Sequence, residues 1–524
     1  MANIRRFVVG CAWPLVIALG AASCGELAAP DEASTEQDVV TGCQQPVAPG
    51  PAISFERELV LRNLHVVEDG VAGDGSDHTN DHCRTTWNAA CPPALQGRWT
   101  FGWMMAVMSG VTDVTNPTAK TFVKNWLKLW LSAQQPNPNK AAARPRTAIT
   151  EALIKPWLLA SGCSSADTID TCALDLKKAP FRLLAFVNRA DLPSIAGYSA
   201  GGEFRVVFGA LGFDPNCAGC GTNTPLQATV ILEYNYPATR SLISWASQMH
   251  ALSGLDPESA SSTVTYRNQL QAITDGIVGP IPVPPPIAIN HSAISHVRTN
   301  EIAFDCQSGT APCDGADPDS TAAQWESRQF KLGPSGQLVP DPVSQTPQTA
   351  DNNTPSINNQ LISYWQACEA GDPAFHDADA ALLGNSSLSP SGGGAVIWER
   401  NVLTSTNSSP STPADRLQAR HLFAFGTCNG CHYFETSNQL GFFHIAPRLP
   451  GTTSGISSFL SVNGAADPIA TSDNVNPSYY QTVNNASGGT TTFLYNEPWR
   501  RACEIRRILS GNPTPYTKPS GHIQ

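Results

Sequence analysis

FRLLAFVNR (181–189), followed by EFRVVFGAL (203–211) and ATVILEYNY (228–236), is the stretch that decides the fold. Each run is rich in Val, Ile, Phe and Tyr, and Gly, Asn and Pro punctuate the segments between them, the pattern of successive strands. HVRTNEIAF (296–304) and QWESRQFKLG (324–333) continue it. Large apolar residues recur at helical spacing before these runs in 99–111, 118–134 and 148–161, and among them in 241–255 and 265–278. Pro156 is expected to kink or split the third helix. Helices and strands do not alternate as βαβ units. The expected class is therefore α+β, a large mixed domain over 56–400 with an antiparallel-type sheet and packed helices.

The composition narrows the function. Of 524 residues 41% are hydrophobic and only 14% charged, and the net charge of -11 is spread along the chain. With no Lys/Arg run beyond the first residues, nucleic acid is excluded as an expected partner. No H-E-x-x-H, G-x-S-x-G or Walker loop occurs. DGVAGDGSDHTND (69–81) offers four aspartates to calcium but misses the EF-hand spacing, so a solvated turn is expected.

In so weakly charged a chain, charges embedded in strands stand out: Arg189 and Asp191, Glu203 and Arg205, Glu233, Arg298 and Glu301, Glu326 and Arg328. Burying them requires pairing. They are read either as a structural ion-pair network or solvent-facing strand positions, or as a polar ligand site built from Arg189, Asp191, Glu203, Arg205, Glu233, Arg298 and Glu301.

The amino terminus combines Arg5-Arg6, an apolar run from Phe7 to Leu19, and Ala21-Ala22-Ser23-Cys24. It resembles a bacterial lipoprotein signal over 1–24, which implies acylation at Cys24, export to the periplasm or cell surface, and attachment to the outer membrane through that lipid alone. Ala21 stands where Leu is usual, so plain secretion is the alternative. Residues 25–55 read as a flexible tether. Export permits disulfides, and Cys83/Cys91, Cys163/Cys172, Cys217/Cys220 and Cys306/Cys313 are spaced as local staples. Cys43, Cys368 and Cys503 are left without an assigned partner.

Residues 401–512 carry the most specific chemistry, ahead of a 513–524 tail. Thr412-Pro413-Ala414-Asp415 starts a helix leading to FGTCNGCHYF (425–434), and a second helix is expected between Asn496 and Gly511. Cys428, Cys431 and His432 form C-x-x-C-H: two thiols spaced for the haem vinyl groups and an imidazole placed under the iron. With Leu422-Phe423 before it and Trp499 in the closing helix, this segment resembles a class I cytochrome c domain, small and mainly α. The resemblance covers roughly 410–512 and implies one covalent haem c, electron transfer with a redox partner protein, and, if the chain is an enzyme, a haem-dependent oxidoreductase. The usual downstream methionine ligand is missing, since no Met follows Met249. His444 is the best substitute as second axial ligand, and an open sixth site is the other option. A Cys428–Cys431 disulfide in a non-redox binding or structural lipoprotein ranks next, and zinc on Cys428, Cys431, His432 and His444 last. RHLFAFGTCNGCH, HIAPR and the strand phrases together resemble a set of uncharacterised secreted bacterial proteins. That resemblance brings no reaction with it.

Overall fold

The computed structural model describes residues 50–68, 83–140, 142–143, 145–192, 201–212, 224–281, 289–302, 325–343, 387–388, 432, 443–457, 460–461, 479–484, 490–495 and 497–511. The signal segment with Cys24, residues 25–49, the helix start at 412–415 and the motif cysteines Cys428 and Cys431 lie outside them. Among the described residues, Ile53 and Phe55 are buried in the core.

The five quoted runs are five consecutive strands of one sheet. After a short β1 (Val60–Leu61) come β2 (Phe181–Arg189), β3 (Glu203–Gly212), β4 (Thr224–Asn235), β5 (Ile294–Ile302), β6 (Trp325–Leu332) and β7 (Leu338–Asp341). They are hydrogen-bonded in sequence order and antiparallel throughout, and β8 (Ser387–Leu388) pairs with the start of β6. Gly202, between β2 and β3, has φ +77, and a Cβ there would lie 2.8 Å from the Tyr236 ring and 2.9 Å from the Ala190 backbone. Only glycine fits this turn without strain.

Opposite partners share a face, so the register sorts the side chains into two surfaces. One surface carries Phe186, Phe204, Phe208, Leu232, Val297 and Phe330. The helices cover it: α1 (Leu64–Val67), α2 (Phe101–Met108), α3 (Pro117–Trp130), α4 (Lys155–Ala160), α5 (Leu242–Ala251) and α6 (Thr263–Val278). Phe101 stacks on Phe181 at 4.0 Å and meets Phe208 at 5.6 Å, while Trp126 meets Phe330 at 6.3 Å. Each fully buried aromatic of this kind contributes about 1.5–3 kcal/mol. Thr100, Asn116 and Ser241 cap α2, α3 and α5 by accepting backbone N–H bonds. Residues Thr150–Ile154 form a π-helical turn that runs directly into α4 with helical dihedrals at Ile154 and Lys155, and Pro156 sits in the first turn of α4, so the chain changes helix type before the proline and is not interrupted there.

From the carboxyl-terminal segment, α7 (Glu497–Leu509) packs on α5, and Trp499, Ala502, Ile505 and Ile508 join the same core. Its bounds match the expected closing helix. A hairpin of β9 (Tyr479–Asn484) and β10 (Thr490–Tyr495) precedes it; Thr, Tyr, Val and Phe in YYQTVN and TTTFLY favour extended chain.

Cys83–Cys91 and Cys163–Cys172 are disulfides, as their spacing suggested, and fit an exported protein. Each closes a loop of 8 or 9 residues, so replacing either pair by serine is expected to lower the urea unfolding free energy by about 2–3 kcal/mol. Unchanged midpoints would contradict this.

An ion pair ties the segment just before β1 to α5. Glu58, fully buried, accepts the Ser54 N–H at 2.6 Å and meets His250 Nδ1 at 3.0 Å. The Glu58 bond raises the His250 pKa above its ordinary 6.5 against the opposing effect of burial. This contribution is complete below pH 6.5 and is lost as pH rises through the raised value. The stability difference between wild type and His250→Gln should therefore shrink from pH 5.5 toward pH 8.5; a difference that grows would contradict the pairing.

Candidate functional site on the polar face

The sheet's second surface is polar and nevertheless buried. Arg189 lies opposite Glu203, Arg205 opposite Glu233, Glu233 opposite His296, and Arg298 opposite Gln329, itself opposite Asp341. Arg189 Nε and Nη2 donate to the two Asp191 oxygens at 2.9 and 3.1 Å. Arg205 donates to Glu203 at 2.8 and 3.1 Å, and its Nη2 lies 3.3 Å from Glu233. Arg298 Nη2 lies 3.3 Å from Glu233 and donates to Gln329 Oε1 at 2.9 Å, while Gln329 donates onward to Asp341 at 2.9 Å. Glu233 thus compensates two guanidinium groups at once. Burial works against the Arg205 charge, but Glu233 and Glu203 outweigh it and hold its proton more tightly than usual. Burial also depresses the His296 pKa, with Glu233 opposing, which favours the neutral ring.

Six of the seven residues assigned to a polar site thus share this face. Glu301 does not: it stands three residues from Arg298, and an odd separation on a strand points the other way. On the helix-covered face it meets Arg146 at 3.2 Å and Arg328 at 3.4 Å. Glu326, directly opposite Glu301, pairs with the same two arginines. Among the described residues, these two carboxylates and two guanidiniums form a second cluster of paired charges.

The two histidines singled out with the cysteine motif come together over the polar face. Trp325, on the same side of β6 as Gln329, stacks on His432 with ring centroids 4.1 Å apart and planes 9° from parallel. His432 meets His444 at 4.6 Å and 61°. Both imidazoles are buried, at 1% and 4% exposure. His444 Nδ1 is 2.9 Å from the Ser457 hydroxyl, and the Ile445–Ile456 bridge together with the Ser457 N–H bond to the His444 carbonyl closes that loop. Burial first, then His432 and Arg501, hold the His444 pKa well below 6.5; Glu497 opposes and Arg189 adds to the shift. The ring is neutral at physiological pH and lies within electrostatic reach of Arg189.

The HIAPR phrase has a mechanical reading. Arg448 pairs with Glu68 and donates to the Leu183 carbonyl at 3.0 Å, and Glu68 also accepts the Gly451 N–H at 2.9 Å. Four residues after His444, Arg448 anchors this loop to the β2 edge. Residues the sequence reading missed are His296, Gln329, Asp341, Trp325 and Ser457; period-two alternation could have found the first three, whereas no local signal marks Trp325 or Ser457.

Haem ligation can be tested on the donor set. A neutral, desolvated imidazole whose other nitrogen is held by a hydroxyl is what a metal ligand needs, and His444 meets this. The spacing does not suit an iron held between the two rings. With metal–nitrogen bonds of about 2 Å, opposed imidazoles have centroids roughly 6 Å apart, against 4.6 Å for His432 and His444. Among the described residues no group of three His, Cys, Asp or Glu converges as a metal site, and no helix is long and apolar enough to cross a membrane.

No family model matches the chain, and neither a curated protein nor a solved structure matches it.

Proposed function

We propose that this chain is an exported haem c protein, lipid-anchored through Cys24 and exchanging single electrons with a redox partner in the periplasm or at the cell surface. Its carboxyl-terminal segment is read as cytochrome c-like and as the redox port of the larger domain. The observation that carries the reading is the position of His432, the motif's own histidine, buried and packed face to face on Trp325 beside His444. Cys428 and Cys431 would hold the cofactor by thioethers and His432 would bind its iron. When bound, the haem would supply a one-electron couple. Trp325 fixes the plane of His432, Ser457 fixes the ring of His444, and burial of both rings excludes water. His444 would help hold the iron only if the two rings part by about 1.5 Å, given metal–nitrogen bonds of about 2 Å. The test is covalent pigment on the mature chain produced together with cytochrome c maturation machinery.

The short ring spacing favours a second reading: a non-redox binding or structural lipoprotein in which Cys428 and Cys431 form a disulfide. That protein would be colourless and would gain two reactive thiols at those positions on reduction.

A further inference from the structure

We propose that the polar face of the sheet binds a small, neutral, hydroxyl-rich molecule, a sugar or polyol, through Arg298, Ser327 and Trp325. The three side chains stand on one side of neighbouring strands: Arg298 of β5 faces Gln329 of β6, and Ser327 and Trp325 precede Gln329 by two and four residues. Their exposures are 1%, 0% and 0%. Nε and Nη1 of Arg298, the Ser327 hydroxyl and Trp325 Nε1 nevertheless have no hydrogen-bond partner. Glu233 Oε1, on the same face, faces Arg205 at 3.3 Å without a hydrogen bond of its own. Folded proteins seldom leave buried polar groups in this condition, and several together on one surface call for a shared partner. Bulk solvent does not reach these atoms.

The charge balance selects the ligand. Among the described residues, Arg189, Arg205, Arg298 and Lys331 on this face are matched by Asp191, Glu203, Glu233 and Asp341. An anion bound at Arg298 would leave an uncompensated negative charge in a desolvated region. Hydroxyl groups accept from the guanidinium, indole and serine donors and donate to Glu233 without disturbing that balance. Trp325 also supports His432, so the site adjoins the imidazole pair, but its occupancy does not depend on haem.

Isothermal titration of the purified full chain with D-glucose, D-galactose and myo-inositol tests this, with D-glucuronate as the charged counterpart of the same ring. At least one neutral compound should bind with Kd below about 1 mM, and D-glucuronate at least tenfold more weakly. Trp325→Phe, which keeps the stack but removes the indole N–H, and Ser327→Ala should each weaken binding about tenfold. The ligand-free Tm of Ser327→Ala should rise, because a partnerless hydroxyl is gone. Failure of every neutral compound to bind, tighter binding of D-glucuronate, or a lowered Tm in ligand-free Ser327→Ala, the mark of a hydroxyl already satisfied by ordered water, would each overturn the proposal.

Discussion

Glu233→Ala should lower the unfolding free energy by about 3–5 kcal/mol, the range found when one partner of a buried ion pair is removed. Glu233 is 1% exposed and stands 3.3 Å from both Arg205 and Arg298. Without it Arg205 keeps Glu203, but among the described contacts Arg298 keeps only the neutral Gln329. A guanidinium remains charged at any accessible pH, so the energy returns as instability of the fold. Glu203→Ala should be milder, since Arg205 keeps Glu233 and the Glu203 side chain is 10% exposed. Urea titrations of both variants with equal m-values would measure the difference; a loss under about 1 kcal/mol for Glu233→Ala would mean that the face is reached by water and is not a closed polar layer.

The second large effect concerns the motif. Replacing Cys428 and Cys431 together by serine should abolish pigment that survives denaturing electrophoresis, because both thioether sulfurs are gone. His444→Ala should leave that covalent pigment in place and alter only the spectrum. Loss of pigment in neither variant, or in His444→Ala alone, would contradict the assigned roles.

Much of the architecture could be read from residue order. Runs dense in Val, Ile, Phe and Tyr specify strands because such side chains suit a half-buried pleated surface, and the five runs are adjacent strands in that order. The bounds of α7 followed from local chemistry, since Glu497–Leu509 lies between Asn496 and Gly511, the residues expected to cap and stop it. The sheet's two unlike faces were legible only in part. Arg189, Glu203, Arg205, Glu233 and Arg298 stood out as charges, yet assigning Glu301 to their group overlooked the alternation that puts it on the helical side. Contacts between residues far apart in sequence left no local trace. Nothing near Trp325 announces that it stacks on His432, and nothing in HIAPR announces that Arg448 reaches Glu68 and the Leu183 carbonyl. Tertiary packing alone creates those pairs.

The proposed role of His432 and the two cysteines before it is to carry an iron porphyrin. The absorption spectrum of the mature chain, made with maturation machinery present and followed by haem staining after denaturing electrophoresis, tests it most directly. The account predicts a Soret band and stain migrating with the polypeptide. A colourless protein with Cys428 bonded to Cys431 would contradict it.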